Sequence, residues 1–279
     1  ILDDGAMRIE SARDLWGRPI PECESMLKDR LGADFHNGVI GPAGENLVRY
    51  ATISFDTRHA GRGGLGAVMG SKRLKALAIR GAQRVALADP ERVVELSREL
   101  SQKSFGPATA KYRELGTVAN LLTFNRFETL PTRNFQQGSF EDANALSEEE
   151  MGAAHRVARR SCAACTIGCE HIYRATGGRE VRLEYESLFA LGPLCGIGDR
   201  EVVLQAARLC DDLGLDTIST GDTIAFAMEC AERDLIDEPE LRFGRGQKLL
   251  EILPQIANRK GLGDLLADGS RRMAEVVGG

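Results

Sequence analysis

A run of three cysteines constrains this chain more than any other feature of its sequence. In CAACTIGC, Cys162, Cys165 and Cys169 stand at positions i, i+3 and i+7. On a regular helix the first and third thiols would lie about 10 Å apart along the axis, which is wide for one compact site. Gly168, directly before the third cysteine, allows the backbone to leave helical geometry and fold that thiol back. The spacing therefore predicts a ligand-bearing loop rather than a helix.

The three thiols indicate a metal or cluster site whose ligand set is one short. Iron–sulfur cubanes take four thiolates, and tetrahedral zinc takes four cysteine or histidine ligands. Zinc could recruit His171 or His155, but the absence of a second cysteine pair favours an iron–sulfur cluster. Cys195, in GPLCGIG, is the local candidate for a fourth thiolate, whereas Cys210 and Cys230 stand at core-like helical spacing. In the structural alternative, the three cysteines only pack as small buried side chains. Three cysteines within eight residues make that alternative unfavourable.

A second signal is the glycine-rich stretch HAGRGGLGAVMGSKRLKALAIRG, residues 59–81. Its glycines let backbone N–H groups approach a ligand closely, and Arg62, Lys72 and Arg73 offer charge-assisted bonds to phosphate. The spacing matches neither a Walker A loop nor a Rossmann fingerprint. The stretch indicates an anion-binding loop, with a plain glycine-rich turn as the structural alternative.

The motif DDLGLD places Asp211 and Asp216 on either side of Gly214, at a turn between two helices. Two carboxylates at such a turn suit the N–H-rich edge of a heterocycle. In the structural alternative, Asp216 or Ser219 only caps the following helix.

A further acidic pair, Glu184 and Glu186, opens the apolar segment RLEYESLFALGPLCG. A glutamate there is favourable at the positive end of the helix dipole. In a dry cavity its pKa would rise and it would become a candidate proton acceptor. The four histidines form no catalytic set by their spacing.

The predicted secondary structure and the glycine content of the sequence change near residue 82. Residues 1–82 mix glycines, short strands and one helix, whereas helices dominate after the N-cap and N1 proline at Asp89-Pro90. We therefore expect an α+β fold with two domains, 1–82 and 83–279. The patterning predicts these elements: strands in MRIE, NLVRYATISF and LKALAIRG, a helix stopped by Gly32, a helix over 147–160 opened by a Ser147–Glu150 capping box, a hairpin turning at Gly177-Gly178, a helix from Glu184 to Gly192-Pro193, a helix capped by Asp199, and helices near 219–233, 246–259 and 263–277.

Composition narrows the class of protein. The chain has 36 basic and 41 acidic residues, so no cationic excess drives general attachment to nucleic acid or to an anionic membrane. No apolar run approaches the roughly 20 residues that span a bilayer, and the first residues lack the regions of a signal peptide. Seven cysteines, an odd number, fit reduced thiols. We expect a cytoplasmic protein with a small soluble partner.

Taken together, five stretches resemble the tungsten-containing aldehyde:ferredoxin oxidoreductase family, in the family's order and approximate spacing. They are AGRGGLGAVMGSKRLKA (60–76), CAACTIGC (162–169), EYESLFALGPLCGI (184–197), DDLGLDTIS (211–219) and GLGDLLADGSRRM (261–273). The resemblance implies a β-rich first domain that carries a bis-pterin cofactor, with helical domains behind it. It further implies tungsten or molybdenum held by two molybdopterin-type pterins, Mg²⁺ bridging their phosphates, and a nearby [4Fe–4S] cluster.

Site residues follow from the same resemblance, position by position. Cys162, Cys165 and Cys169 match cluster ligands, and Glu186 matches the acid–base carboxylate near the metal, with Glu184 as the fallback if the register shifts by two. The pterin-contacting positions are Arg62, Gly63, Gly64, Gly66, Asp211, Leu215 and Asp216.

The resemblance implies oxidation of a small aldehyde and water to a carboxylic acid, with electrons passing through the cluster to ferredoxin or another low-potential carrier. The chain is expected to be a fragment covering under half of a family member, inactive alone, with the fourth cluster cysteine beyond residue 279; the whole protein is a possible homodimer. Three alternatives stay open: an electron-transfer or assembly module without substrate chemistry, an aromatic-ring-reducing catalytic subunit of the same family, and a zinc-stapled binding domain.

Overall fold

Short strands and helices alternate over the first 83 residues and helices dominate the remainder, which confirms the predicted α+β class. The computed structural model describes residues 1–278. The chain packs as two compact units: Ile1–Gln83 together with the residues from Arg208 onward, and Arg84–Ala207. The expected domain division at residue 82 stays a prediction, and the packing adds that the C-terminal helices belong to the same unit as the glycine-rich stretch.

The first 83 residues form a six-stranded mixed sheet flanked by short helices. Its elements are β1 (Leu2–Asp3), β2 (Ala6–Met7), α1 (Ile20–Leu31), β3 (His36–Val39), α2 (Pro42–Glu45), β4 (Ile53–Phe55), β5 (Arg58–Ala60), α3 (Leu65–Ser71) and β6 (Ala76–Arg80). The strand order is β2-β1-β6-β3-β4-β5, with β1 parallel to β6 and the other neighbours antiparallel. Buried apolar side chains form two clusters, one of Leu15, Cys23, Leu27 and Val39 and the other of Ile40, Ile53 and Met69.

A buried ion pair joins helix α2 to the segment that enters β6. Lys75, fully buried, donates to the Glu45 carboxylate and to the carbonyl oxygen of Ile40 at 2.7 Å. Gly17 N–H donates to the second Glu45 oxygen at 2.8 Å. Because each charge has several polar partners, the desolvation cost of burying the pair is offset. The pair therefore fixes the position of α2, on which α3 packs.

The second unit is mostly helical and contains a small antiparallel sheet in the order β7-β8-β9. Its elements are α4 (Pro90–Ser104), α5 (Ala110–Leu115), α6 (Asn120–Arg126), α7 (Glu148–His155), β7 (Arg156–Arg160), β8 (Glu170–Arg174), β9 (Glu180–Leu183), α8 (Tyr185–Leu191) and the first part of α9 (Arg200–Leu213). Single 3-10 turns connect several of these helices.

The C-terminal part of the chain contributes four further helices to the first unit. They are α10 (Thr217–Glu232), α11 (Gly246–Ala257), α12 (Leu262–Leu266) and α13 (Ser270–Val277). Arg259 ties this part to the end of α2, because its guanidinium donates to the carbonyl oxygens of Asn46 at 2.7 Å and Leu47 at 3.0 Å. It also pairs with Asp268 at 2.8 Å and Asp264 at 2.9 Å.

Several sequence-based boundaries are confirmed. Helix α1 ends at Gly32, and Ser147 caps α7 by accepting from the N–H of Glu150 at 3.3 Å. Asp199 accepts from the N–H of Glu201 at 2.9 Å at the start of α9. The hairpin of β8 and β9 turns at the predicted glycine pair, and α8 ends at Gly192.

The bounds of four predicted elements, two helices and two strands, were wrong, each for a physical reason. The helix expected over 147–160 ends at His155, because residues 156–160 pair as a strand with β8, a partner that lies beyond the reach of local periodicity. The helix expected over 263–277 is broken into α12 and α13 at Gly269, whose φ of 87° cannot continue a helix. The strands expected in MRIE and NLVRYATISF shrink to β2 and β4, because ladder pairing covers only those residues.

Over residues 1–278, no helix combines the length and apolar character that crossing a membrane requires.

Candidate functional site

The turn between α9 and α10 is built around Gly214. With φ of 79°, Gly214 takes the left-handed conformation that ends α9, and the N–H groups of Gly214 and Leu215 both donate to the carbonyl oxygen of Cys210, at 2.9 and 2.8 Å. Asp216 then caps α10 by accepting from the N–H of Ser219 at 3.1 Å. The capping role considered from the sequence is therefore real for Asp216.

This turn lies against the chain segment that precedes β4. The N–H of Asp216 donates to the carbonyl oxygen of Tyr50 at 3.0 Å, and the N–H of Thr52 donates to that of Gly214 at 2.8 Å. Ala51 and Leu215 form an antiparallel bridge between these two bonds. Two segments about 160 positions apart in sequence are thus held in register by main-chain hydrogen bonds.

The glycines of the 59–81 stretch allow close backbone approach to the same segment. A Cβ on Gly64, whose φ is 70°, would lie 2.2 Å from the carbonyl oxygen of Arg49, and one on Gly66 would lie 2.3 Å from that of Thr52. Gly63 also has a left-handed φ, 98°, but no atom lies within 4 Å of its added Cβ. Gly64 and Gly66 therefore have a packing role, whereas Gly63 leaves open space beside the backbone.

His59 links β5 to the acidic turn. Its Nδ1 lies 3.0 Å from the Thr52 hydroxyl oxygen, and its Nε2 lies 3.5 Å from Oδ1 of Asp211. With the Thr52 hydroxyl donating to Nδ1, the Nε2–H faces the Asp211 carboxylate. Sequence spacing did not single out His59; its position directly before the glycine run was the available signal.

Arg62 reaches the second carboxylate of the turn. Its Nε lies 3.8 Å from Oδ2 of Asp216, a carboxylate that is only 7% exposed, while the Arg62 side chain is 65% exposed. Oδ1 of Asp216 lies 3.8 Å from the Cβ position of Gly61. A partly free guanidinium, open glycine backbone and two carboxylates thus come together in one unit.

These residues fit a phosphorylated heterocycle in the chemistry of their groups. The exposed part of Arg62 and the open space at Gly63 suit a phosphate, and the part-exposed Asp211 carboxylate can accept from ring N–H groups. Asp216 is less available because its Oδ2 already serves Ser219 and Arg62. Leu215, only 1% exposed, belongs to the core, so its side chain supports the turn from beneath.

The three cysteines lie in the connection between β7 and β8, residues 161–169, which is a loop as predicted. Ala164 has a left-handed φ of 58°, and the N–H of Cys165 donates to the carbonyl oxygen of Cys162 at 3.0 Å, forming a tight turn. Gly168 has a φ of 66°, so the predicted departure from helical geometry is confirmed. Cys162 is exposed, and the other two thiols are partly exposed.

The thiols of this loop influence one another. Burial raises the pKa of Cys169, and the negative charges of Glu184, Cys162 and Cys165 raise it further. Among residues 1–278, no three His, Cys, Asp or Glu side chains converge as the ligands of one metal ion would. The ligands of a cubane bind separate irons at its corners, so they surround a larger body than a single ion. The three thiols of this loop are the kind of donor that a cubane requires.

Both histidines considered for zinc lie away from the cysteine turn, beside other groups. His155 Nδ1 lies 3.1 Å from the carbonyl oxygen of Arg174, at the end of β8 remote from the loop. His171 is buried with Nδ1 3.4 Å from a carboxylate oxygen of Glu148. Cys195, the local candidate for a fourth thiolate, is fully buried, and its thiol lies 3.4 Å from the carbonyl oxygen of Ala190. These positions favour structural roles for all three.

The two glutamates of α8 differ in their surroundings. Glu186 is exposed in the first turn of the helix. Burial of the Tyr185 side chain, together with the negative charge of Glu186, raises the pKa of Tyr185 to about 12. Glu184 is partly buried at the N-cap, close enough for its charge to raise the pKa of Cys169. The structure therefore brings Glu184, the fallback position, within electrostatic range of the cysteine loop.

A buried polar cluster behind the small sheet was missed from the sequence. Glu148, 3% exposed, accepts from the Tyr173 hydroxyl and from Nη1 of Arg156 at 2.9 Å. Burial and Glu148 both raise the pKa of Tyr173. Within the described residues, neither ring nitrogen of the neighbouring His171 has a hydrogen-bond partner. Packing of α7 against the β7–β8 pair brings these groups together, so no local pattern revealed them.

Both parts of the chain match models of a known protein family. Residues 1–81 match the family model "Aldehyde ferredoxin oxidoreductase, N-terminal domain", and residues 93–279 match "Aldehyde ferredoxin oxidoreductase, domains 2 & 3". The active site complex BamBC of benzoyl coenzyme A reductase, solved with 1,5-dienoyl-CoA, superimposes with a TM-score of 0.79 at 26% identity. That likeness covers 97% of this chain and 44% of the other.

Curated relatives extend the match over nearly the whole sequence. A tungsten-containing aldehyde ferredoxin oxidoreductase of Thermococcus kodakarensis is 42% identical over 99% of this chain and 48% of its own length. One from Pyrococcus furiosus is 40% identical over the same shares, and an aliphatic sulfonate oxidoreductase WOR-like subunit of that organism is 32% identical over 84% of this chain and 39% of its own length. The chain spans about half the length of the aldehyde ferredoxin oxidoreductases that it matches. By both family models and by identity over almost all of its residues, the chain belongs to the aldehyde ferredoxin oxidoreductase family.

Proposed function

We propose that this chain forms part of an enzyme that oxidises aldehydes to carboxylic acids with water. The reaction R–CHO + H₂O → R–COOH + 2H⁺ + 2e⁻ releases two electrons. A tungsten or molybdenum bis-pterin centre would accept these electrons, and a [4Fe–4S] cluster would pass them on. Ferredoxin or a similar low-potential carrier is the proposed acceptor. The activities for which the relatives are named and the matching family models support this proposal.

One observation carries the proposal: the glycine-rich stretch and the Asp-x-x-Gly-Leu-Asp turn meet, through Arg62–Asp216 and His59–Asp211. We assign anion contact to Arg62 and the backbone at Gly63, whereas Gly64 and Gly66 hold this backbone against residues 49–52, with the Gly66 N–H donating to the carbonyl oxygen of Ala51 at 3.0 Å. We assign acceptance of ring N–H groups to Asp211 and Asp216, with Leu215 supporting the turn. Mg²⁺ would neutralise the pterin phosphates.

The remaining roles rest on the cysteine loop and on α8. We propose that Cys162, Cys165 and Cys169 hold three corners of the cluster, with a fourth cysteine supplied by residues beyond 279. Glu186 is proposed to hold or move the proton of the activated water, with Glu184 as the alternative. We further propose that residues 1–82 are the C-terminal part of the pterin-binding domain and that the whole protein is a homodimer.

The test uses the whole protein purified without air. We expect tungsten or molybdenum, extractable pterin, iron and acid-labile sulfide, together with aldehyde-dependent reduction of a viologen dye. The isolated 279 residues should show no turnover. A whole protein that contained the cluster but no pterin would overturn the proposal in favour of an electron-transfer module, and zinc without labile sulfide would favour a structural zinc site.

A second candidate is reduction of an aromatic ring carried as a coenzyme A thioester. The superposition on the benzoyl coenzyme A reductase active site complex favours it. Incubating the reduced whole protein with benzoyl-CoA separates the two: formation of a dienoyl thioester, with no aldehyde-dependent dye reduction, would select this candidate.

A further inference from the structure

Strand β7 presents an exposed basic edge next to the cysteine loop. It is the edge strand of its sheet, and all five of its residues are exposed. Residues 156–169, from the start of β7 to the third cysteine, contain three arginines and no acidic residue. The edge of the sheet and the start of the loop therefore carry a local positive charge on a chain whose net charge is −5.

Two of the three arginines have no carboxylate partner within the described residues. Arg156 pairs with the buried Glu148. Arg159 donates to the main-chain carbonyl oxygen of Arg113 at 3.0 Å, which leaves its charge uncompensated. Arg160 has no hydrogen-bond or ion-pair partner for its side chain in residues 1–278, because Glu170, across the strand pair, is buried and pairs with Arg182 at 3.3 Å.

Within the described residues, 1–278, the loop beyond Arg160 is exposed. Ser161, Cys162, Ala163 and Ala164 are all exposed. The two alanines project little beyond the backbone, so a partner can approach the cysteine turn closely. Charges that steer a partner and a short path to the loop thus lie on the same face.

We propose that Arg159, Arg160 and the turn Ser161–Ala164 form the docking surface for a small acidic electron-carrier protein. The inference rests on the proposed function, since it takes the loop to hold the cluster. Each encounter would transfer one electron from the reduced loop centre to one oxidised carrier, so oxidation of one aldehyde reduces two carriers. Complementary charge raises the rate of such encounters and makes them sensitive to salt, and transient redox interfaces are typically small.

Direct binding of a purified acidic ferredoxin to the whole protein tests the surface without requiring turnover. Arg160→Glu should raise Kd at low salt about three- to tenfold, because a rim charge is reversed, and should flatten the dependence of Kd on salt. Arg160→Lys keeps the charge and should bind as the native protein does. Arg179→Glu, an exposed arginine at the opposite end of the same sheet, is the matched control and should leave Kd unchanged.

Steady-state kinetics provide the second readout. In Arg160→Glu the KM for ferredoxin should rise while kcat and aldehyde-dependent viologen reduction stay unchanged. An unaltered Kd in Arg160→Glu, or an equal rise in Arg179→Glu, would refute the docking surface. The docking surface would also be refuted if an acidic protein without a redox centre bound with the same Kd as ferredoxin and lost affinity equally in Arg160→Glu. If the native protein binds ferredoxin through Arg160 but reduces no dye with aldehydes, the proposed function fails and the docking surface stands.

Discussion

Nε of Arg62 lies 3.8 Å from Oδ2 of Asp216, so a guanidinium of the glycine-rich stretch faces the carboxylate that caps α10. The same oxygen accepts from the N–H of Ser219. One carboxylate therefore links the start of a helix to the glycine-rich stretch. A change at Asp216 acts on helix stability and on the orientation of Arg62, and the two effects can be separated by the choice of substitution.

Asp216→Ala should destabilise the whole protein by about 1 kcal/mol, the usual effect of losing an N-cap, while Asp216→Asn should keep most of the cap. Both should lower pterin and tungsten content, because neither presents a carboxylate to Arg62 and to the cofactor proposed to bind there. Urea unfolding followed by circular dichroism and metal analysis check the two effects. Full pterin content in Asp216→Asn would show that the carboxylate only caps the helix.

Comparing Gly64→Ala with Gly63→Ala separates two causes of lower stability: a strained backbone conformation, and a collision of the new Cβ with a neighbouring segment. Both alanines would adopt a left-handed φ, at a cost of about 1–3 kcal/mol each, but only the Cβ at residue 64 would collide with a carbonyl oxygen, that of Arg49. We therefore expect Gly64→Ala to lower the unfolding midpoint clearly more than Gly63→Ala. Equal midpoints for the two variants would argue against close packing of this segment.

Cys162→Ser should lower iron and labile sulfide in the whole protein, because it removes a proposed cluster ligand. Cys195→Ala is the matched control: its thiol is fully buried beside the carbonyl oxygen of Ala190, so iron content should stay at the native value. Iron, sulfide and electron paramagnetic resonance measurements decide between them. Loss of the cluster in Cys195→Ala but not in Cys162→Ser would show that Cys195 binds the cluster and Cys162 does not, which would contradict the prediction.

Asp268 should contribute a pH-dependent part of the stability of the first unit. Hydrogen bonding to Arg259 holds the pKa of Asp268 below its ordinary value of 3.8. The unfolded state thus takes up its proton first, so this contribution is present above about pH 4 and is lost as the pH falls through the folded-state pKa.

Comparing unfolding midpoints at pH 7 and in acid checks this contribution. Asp268→Asn should lose stability at pH 7 and show a smaller further loss in acid than the native protein. Asp237→Asn, at an exposed position without an ion pair in the described residues, is the control and should follow the native curve. Identical acid profiles for Asp268→Asn and the native protein would contradict the role of the Arg259 pair.

Local rules predicted most helix ends and the nature of the cysteine segment. Gly32, Gly192 and Gly214 end helices, and Ser147 and Asp199 begin them, because capping depends on neighbours within four residues. Strand limits were less predictable, since β7 exists only through its pairing with β8.

The sequence by itself determined the family, the cysteine loop, the glycine-rich stretch and the acidic turn, because each is carried by residue types at short, fixed spacing. Only the tertiary structure decided that Asp216 is a cap facing Arg62, that His59 reaches Asp211, and that Glu148 gathers Tyr173 and Arg156 in the core. Those contacts join residues from 8 to more than 150 positions apart. Contacts at such range depend on how sheets and helices pack, and local patterns do not encode that packing.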